Sequence, residues 1–221
     1  MMRALLVGGG PVDPAQLAAE LESGPELTIA VDGGGRSFLQ LGIRPGLMLG
    51  DFDSLPEADR ERLAAAGVQM LTFPRAKDQT DLELAIDLAL ERSAGEIRIL
   101  GGLGRRVDHT LGNIGLLWKA LRRGVTARLL DPEHEIFVVD RPFQLAARPG
   151  WAVSLVPLTP QVRAVRTEGL RFPLRDEDLE FIQPRGLHNE FAAPMAGVGF
   201  VDGIMLVILF AETADQTIPS S

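Results

Sequence analysis

Short apolar runs alternate with longer stretches of helical periodicity over the first 131 residues of the chain. The short runs, each bounded by glycine, proline or polar residues, predict strands at residues 4–7, 27–31, 47–49, 68–73, 97–100 and 127–130. Between them, apolar residues recur at helical spacing, as at Leu82, Ile86 and Leu90, which predicts helices with one buried face. Strands that alternate with helices predict a mainly parallel sheet covered by helices.

Capping residues mark where several of these helices begin. Asp13 stands directly before Pro14, a pair typical of the N-cap and first position of a helix. Thr80 and Ser54 are each followed three residues later by a glutamate, which is the pattern of a capping box. We therefore expect helices to begin just after Asp13, Ser54 and Thr80.

The pattern changes after Asp131, where short strands follow one another without helices between them. They are predicted at residues 135–139, 145–147, 151–156, 162–167, 197–201 and 204–210. This pattern indicates a small antiparallel β-sandwich or barrel. The sequence thus predicts an α/β domain at residues 1–131, a β domain at 142–212 and a flexible tail at 213–221.

Charge and composition argue against nucleic acids and membranes as binding partners. A formal net charge of −8 argues against a nucleic-acid-binding surface, which needs clustered cations. No apolar run is long enough to span a bilayer, and the run at residues 4–7 is too short for a signal peptide. The absence of cysteine excludes disulfides and thiolate metal sites. We expect a cytoplasmic protein without membrane or nucleic-acid partners.

Two pairs of aspartates follow predicted strands, at the sheet edge where α/β proteins bind ligands. Asp51 and Asp53 lie two residues apart after the third strand, and carboxylates spaced in this way suit a hard cation such as magnesium. An aspartate turn that merely caps the next helix is the alternative, but Ser54 is available for capping. Asp78 and Asp81 follow the fourth strand, although Asp81 alone could serve the helix dipole.

Cationic and glycine-rich residues at the same edge predict a phosphate site. Lys77 can bind a phosphate oxygen as a point charge. Loops with the sequences Asp32-Gly33-Gly34-Gly35 and Gly101-Gly102-Leu103-Gly104-Arg105-Arg106 let a phosphate approach the backbone, with the following helix N-terminus favouring anions. The chain has no Walker lysine motif, and its Gly8-Gly9-Gly10 run lacks the third glycine of a dinucleotide fingerprint.

These motifs, in this order, resemble those of thiamine pyrophosphokinases (thiamine diphosphokinases). The matching segments are residues 31–34, 41–45, 50–54, 78–81, 101–109, 169–174 and 189–191. The resemblance implies an α/β catalytic domain, a β domain that helps to bind thiamine, and a homodimer with active sites at the subunit interface. It also implies transfer of pyrophosphate from ATP to the hydroxyl of thiamine, which yields thiamine diphosphate and AMP.

The resemblance assigns the acidic residues to one magnesium site. At the matching positions, Asp51, Asp53 and Asp81 would hold Mg²⁺. Asp32 and Asp78 would line the same site. This assignment agrees with the chemistry, because pyrophosphoryl transfer depends on positioning and charge neutralisation more than on covalent catalysis.

The resemblance also assigns residues to the two ends of the substrates. Arg106 and Asp108 would lie at the phosphate end, and Asn189 would face the thiamine ring. The family usually has serine before that asparagine, where this chain has His188. Two other functions compete: a pyrophosphokinase that acts on a pterin alcohol, and a non-catalytic thiamine or nucleotide sensor. The number of acidic residues argues against the sensor.

Overall fold

The computed structural model describes residues 1–104 and 106–212, so Arg105 and the predicted tail at 213–221 lie outside the described residues. The chain divides into two compact units, Met1–Pro132 and the residues from Glu133 onward. The division falls just before a strand that pairs within the second unit. Within the described residues, no helix combines the length and the apolar character needed to cross a bilayer.

The first unit alternates strands and helices, as the sequence predicts. Its strands are β1 (Met2–Val7), β2 (Leu27–Val31), β3 (Leu47–Gly50), β4 (Gln69–Thr72), β5 (Ala94–Leu100) and β6 (Thr126–Leu130). Its helices are α1 (Pro14–Glu22), α2 (Gly35–Gln40), α3 (Glu57–Ala65), α4 (Asp81–Glu91) and α5 (Val107–Arg122). A single 3-10 turn, Asp32–Gly34, connects β2 to α2.

All strand pairs of the first unit are parallel, in the order β6-β5-β1-β2-β3-β4. The chain winds outward from β1 to β4, and α4 then returns it to β5 on the opposite side of β1. This reversal of strand order between β1 and β5 creates a topological switch point, where open α/β sheets bind their ligands. Val7 is in register with Ala30 and with Leu100, so these strands end at the same level.

Helix starts in the first unit follow the predicted caps at two of three places. Asp13 Oδ1 accepts a hydrogen bond from the Gln16 amide at 2.8 Å, and Thr80 Oγ1 accepts one from the Glu83 amide at 3.2 Å. The prediction for Ser54 is wrong, because α3 begins only at Glu57 with Pro56 as its N-cap residue and no side-chain cap. The turn before Pro56 stays outside the helix because the residue that precedes a proline disfavours the helical region.

The second unit consists of two antiparallel sheets. Its strands are β7 (His134–Val139), β8 (Phe143–Ala146), β9 (Trp151–Pro157), β10 (Gln161–Glu168), β11 (Glu177–Glu180), β12 (Asn189–Glu190), β13 (Met195–Gly199) and β14 (Met205–Ala211). One sheet has the order β12-β9-β14-β7 and the other β11-β10-β13-β8. Inward-facing residues of both, among them Val153, Val165 and Val207, form one hydrophobic core.

The predicted fold class is confirmed: a mainly parallel α/β unit is followed by an antiparallel β unit. Strands β11 and β12 escaped prediction for a physical reason. Three of the four residues of Glu177–Glu180 are acidic, and Asn189–Glu190 contains no apolar residue. Neither segment therefore shows the apolar alternation on which strand prediction depends.

Candidate active site

Glycine-rich loops from β1 and β5 lie against each other at the switch point. The Gly8 amide donates to the Leu100 carbonyl oxygen at 2.8 Å, and the Gly10 amide donates to the Gly101 carbonyl oxygen at 3.1 Å. A Cβ atom on Gly10 would lie 2.5 Å from that Gly101 oxygen, which is too close for any side chain. The two loops therefore pack backbone against backbone at the switch point, an approach that only glycine allows.

Asp32, the acidic residue after β2, occupies space that is free because residue 50 is glycine. Asp32 has a left-handed backbone with φ of 47°, a conformation that aspartate tolerates better than most residues. Its Oδ1 accepts a hydrogen bond from the Phe52 amide at 3.1 Å. A Cβ atom on Gly50 would lie 1.9 Å from the same oxygen, so only glycine at the end of β3 admits the Asp32 carboxylate.

Phe52 fixes the loop that carries the two aspartates after β3. Its side chain is 5% exposed and packs in the core of the first unit, while its backbone is left-handed with φ of 60°. A left-handed backbone at a bulky residue is strained, and such strain concentrates at functional sites. Asp51 Oδ1 accepts the Asp53 amide at 3.0 Å, which closes the turn. Asp53 itself is exposed and lies 3.5 Å from Arg75.

The Asp32 carboxylate lies beside that of Asp81 and within electrostatic reach of that of Asp51. Burial of the side chain and then the neighbouring Asp81 carboxylate raise the pKa of Asp32 to about 7, with a further contribution from Asp51. The hydrogen bond from the Phe52 amide acts in the opposite direction. The charged form of Asp32 is thus disfavoured by burial and by its neighbours, and a positive charge placed beside it would relieve both effects.

Lys77 partly neutralises this cluster. Its ammonium lies 2.7 Å from Asp81 Oδ1 and donates to the Pro74 carbonyl oxygen at 3.1 Å. The same Asp81 oxygen is buried, and among the described residues no group forms a hydrogen bond of good geometry with it. Asp78, by contrast, is exposed on the loop. In this structure the Lys77 ammonium is therefore paired with a carboxylate and is not free to bind a phosphate.

The donor set fits a hard divalent cation. Carboxylate oxygens are the ligands that Mg²⁺ prefers, and the buried Asp81 Oδ1, which forms no hydrogen bond of good geometry among the described residues, already has a cation, the Lys77 ammonium, 2.7 Å away. Across the described residues, no three acidic or histidine side chains converge closely enough to hold a metal ion by themselves. A cation here would need phosphate oxygens and water as further ligands, as Mg²⁺ commonly does.

Arg106 and Asp108, at the start of α5, bind each other. Two hydrogen bonds, of 3.2 and 2.5 Å, join the guanidinium to the carboxylate. The Arg106 side chain holds the pKa of Asp108 down at about 2. Both side chains are exposed, and no hydrogen bond or ion pair within residues 1–104 and 106–212 links them to the aspartates. Gly102 lies nearby, and its carbonyl oxygen accepts a hydrogen bond from Asn113 at 2.7 Å.

Both ends of the Asn189 side-chain amide bind backbone groups. The residue is 7% exposed. Its Oδ1 accepts the Phe172 amide at 3.0 Å, and its Nδ2 donates to the Phe172 carbonyl oxygen at 2.7 Å. Asn189 therefore tethers the loop at Phe172 to β12.

His188 contacts Glu212, one of the residues that line a recess in the second unit. Its Nε2 is 3.0 Å from Glu212 Oε1, and its ring meets Phe210 edge to face at 5.3 Å. The recess has a volume of about 450 Å³ and is lined by residues 147–151, 190–194 and Glu212. It combines the Trp151 and Phe191 rings and the Arg148 guanidinium with the carboxylates of Glu190 and Glu212.

Several contributors could not be identified from their residue type alone. Phe52 resembles any other core phenylalanine in the sequence, and Arg75 is one of many arginines. The glycine run at Gly8–Gly10 did carry a usable indication, namely its position directly after a predicted strand. Trp151 offers no indication at all, because a tryptophan at the start of a strand is ordinary in a β-sandwich.

Comparisons with known proteins match both units. The model of the thiamin pyrophosphokinase catalytic domain matches residues 18–129, and the model of the thiamin pyrophosphokinase vitamin B1 binding domain matches residues 136–205. A thiamine pyrophosphokinase of Bacillus subtilis is 31% identical over 206 residues, which cover 92% of this chain and 96% of the relative.

Solved structures agree with this result. The crystal structure of the Bacillus subtilis thiamine pyrophosphokinase superposes with a TM-score of 0.86, covering 96% of this chain and 99% of that one at 31% identity. A thiamin pyrophosphokinase from Geobacillus thermodenitrificans gives a TM-score of 0.84 at 28% identity, covering 96% and 99%.

Proposed function

Because the chain belongs to the thiamin pyrophosphokinase family, we propose that it transfers a pyrophosphoryl group from ATP to the hydroxyl of thiamine. The observation that carries this proposal is the acidic cluster of Asp32, Asp51 and Asp81 beside the glycine loops at the switch point. The thiamine hydroxyl oxygen forms a bond to the β-phosphorus, and the bond from that phosphorus to the oxygen bridging the α-phosphate breaks. AMP leaves with the bridging oxygen, and the hydroxyl proton passes to a base.

We propose that Asp51, Asp53 and Asp81 hold Mg²⁺ together with phosphate oxygens of ATP, and that Asp32 and Asp78 line this site. When bound, the ion neutralises the charge of the transferred group. Neighbouring residues fix the positions of the three aspartates. Phe52 locks the turn between Asp51 and Asp53, and the Thr80 cap fixes the start of α4 immediately before Asp81.

The phosphates themselves are assigned to the glycine loops and their cations. The loop at Gly33 and the loop at Gly102 offer backbone amides, and Lys77, Arg105 and Arg106 supply positive charge. Lys77 and Arg106 are paired with Asp81 and Asp108 in the structure. We propose that anionic phosphates exchange with these carboxylates as partners, which is possible because the Arg106 pair is exposed.

Thiamine carries a permanently positive thiazolium ring, and the recess of the second unit is suited to such a group. Its volume of about 450 Å³ is in the usual range for small-molecule sites. Trp151 and Phe191 offer aromatic surface, and Glu190 and Glu212 offer negative charge. The Arg148 guanidinium lies over the Trp151 ring at 5.0 Å and Arg171 pairs with Glu190 at 2.7 Å, so in this proposal the thiazolium replaces these cations. In this proposal His188 acts on thiamine through Glu212, and Asn189 holds β12, and with it the lining residue Glu190, in place.

Replacing Glu212 with glutamine should test the recess as the thiamine site. The change keeps the size of the side chain and the hydrogen bond with His188 but removes one negative charge. A partly exposed charge pair contributes up to about 1 kcal/mol, so KM for thiamine should rise about fivefold while KM for ATP stays unchanged. Glu168→Gln, an exposed glutamate of the same unit, is the control. An unchanged KM for thiamine in Glu212→Gln would place the ring elsewhere.

We further propose a homodimer with active sites at the subunit interface, in the cytoplasm. The recess is open to solvent, and large apolar side chains such as Phe181 and Ile182 are 60% and 82% exposed on the second unit. Sedimentation at micromolar concentration should give twice the chain mass of 23.9 kDa. A fully active species of 23.9 kDa would contradict the shared site.

The proposed function is tested by supplying ATP and Mg²⁺ with thiamine, with a pterin alcohol, or with neither. AMP should form only with thiamine. Turnover with the pterin alcohol would favour the competing pyrophosphokinase, for which nothing in the described site gives specific support. Binding of thiamine and ATP without any turnover would instead favour a sensor.

A further inference from the structure

A single lysine of α5 bridges two acidic side chains of α4. Lys119 Nζ donates to Glu83 Oε1 at 2.9 Å and to Asp87 Oδ2 at 2.7 Å. All three side chains are about one quarter to one third exposed, so the contact is partly shielded from water. The chain has only two lysines, and the other, Lys77, lies in the acidic cluster itself.

The bridge continues into the loop that carries the catalytic aspartates. The Asp87 oxygen that binds Lys119 also accepts a hydrogen bond from Gln79 Nε2 at 2.9 Å. Gln79 lies between Asp78 and the helix cap Thr80, two residues before Asp81. A carboxylate only accepts hydrogen bonds, so this contact requires the amide nitrogen of Gln79 and fixes the orientation of its side chain.

Electrostatics make the lysine necessary to this arrangement. Glu83 and Asp87 are four residues apart on one helix face, where like charges repel. Burial lowers the pKa of Lys119, but the hydrogen bonds to Asp87 and Glu83 outweigh that effect and the pKa is raised overall. The ammonium therefore stays charged at neutral pH. Lys119 also binds the Glu83 carboxylate, while the backbone amide of Glu83 donates to the capping hydroxyl of Thr80. Glu83 therefore connects α5 to the cap of α4.

We propose that Lys119 is a positioning residue for the loop at residues 78–81, acting through Asp87 and Gln79. The proposal rests on the proposed function in that this loop supplies Asp81 to the cation. Lys119 touches no substrate. It holds the N-terminal half of α4 and Gln79, the residue before the cap, in place. The Asp81 carboxylate would then have one fixed orientation toward a bound cation.

Hydrogen exchange of the metal-free protein tests the positioning without any reference to activity. Lys119→Met keeps the length of the side chain and removes its charge. We expect the amides of Glu83 and Leu84, whose hydrogen bonds to Thr80 close the first turn of α4, to exchange about tenfold faster in this variant, because removal of the ammonium leaves Glu83 and Asp87 to repel each other. Arg122→Met, an exposed cation of the same helix, is the control and should leave the exchange of these two amides unchanged. Unaltered exchange of Glu83 and Leu84 in Lys119→Met would overturn the proposal.

Kinetics then test what the positioning does. The Mg²⁺ concentration for half-maximal rate should rise about tenfold in Lys119→Met, as for other groups that orient metal ligands, with kcat changed much less. Lys119→Arg should restore it to within about threefold, because a guanidinium can also bridge two carboxylates. Asp87→Asn added to Lys119→Met should cause no further increase.

The outcomes separate this proposal from the proposed function. A fall in melting temperature with an unchanged Mg²⁺ requirement would make Lys119 merely structural and would overturn the proposal. Faster exchange of the Glu83 and Leu84 amides in Lys119→Met, combined with a parent protein that forms no AMP, would support the positioning by Lys119 and overturn the proposed function alone.

Discussion

Asp51→Asn and Asp53→Asn should each lower kcat for AMP formation by at least about a hundredfold and leave the fold intact. Asparagine keeps the size of the side chain and still accepts a hydrogen bond, so the turn closed by Asp51 Oδ1 and the Asp53 amide survives. What is lost is the anionic oxygen that a hard cation prefers. Electrostatic contributions of this kind commonly supply about 3 kcal/mol of transition-state stabilisation.

The stability of the same variants distinguishes a catalytic from a structural aspartate. Asp51 contributes to the raised pKa of Asp32, so its neutralisation relieves repulsion. The metal-free melting temperature of Asp51→Asn should therefore equal or exceed that of the parent. Glu61→Gln, an exposed carboxylate of α3, serves as the control for loss of one charge. Near-normal turnover in Asp51→Asn or Asp53→Asn would refute the cation assignment, and melting far below the parent would make the residue structural.

Asn189→Ala should destabilise the protein by about 1–3 kcal/mol. Truncation removes the two hydrogen bonds to the amide and the carbonyl of Phe172, a residue that is 55% exposed, and each such bond contributes about 0.5–1.5 kcal/mol net. In a protein of this size, such a loss in the free energy of unfolding lowers the melting temperature by several degrees. Asn189→Asp should be almost as harmful, because it keeps the acceptor for the Phe172 amide but removes the donor to its carbonyl oxygen.

Thermal unfolding with Gln144→Ala as control checks this expectation, since Gln144 is an exposed residue of β8 in the same unit. If Asn189→Ala instead melts like the parent and only weakens thiamine binding, the side chain contacts the ring directly. The prediction made from sequence would then hold, and the tethering role inferred from the structure would be wrong.

The first unit illustrates which parts of the fold the sequence carries. Apolar runs and caps such as Asp13 and Thr80 are local, so the strands and helix starts of the parallel sheet could be predicted. The failure at Ser54 is also local in origin: a serine followed by Glu57 satisfies the capping pattern, yet Pro56 keeps the preceding residues out of the helix. Short polar strands such as Asn189–Glu190 depend on their pairing partner and leave no such pattern.

The candidate site shows the same division. Asp32 and Asp51 could be assigned to this edge of the sheet because each comes directly after an apolar run, and Asp81 because the Thr80 cap marks the start of the helix that follows β4. Their surroundings could not, because Gly50 beside Asp32, and Lys119 beside Asp87, are separated along the chain and meet only in the fold. The position of Asn189 was predicted as functional, but its partner Phe172 could not be, since that contact spans seventeen residues.

One measurement tests the central claim most directly: a single turnover of ATP labelled at the β-phosphorus, with excess enzyme, thiamine and Mg²⁺. The label should appear quantitatively in thiamine diphosphate, with one equivalent of AMP, and excess chelator or omission of thiamine should abolish both products. Formation of ADP with an unlabelled thiamine product, or AMP formed at the same rate without thiamine, would contradict pyrophosphoryl transfer to thiamine.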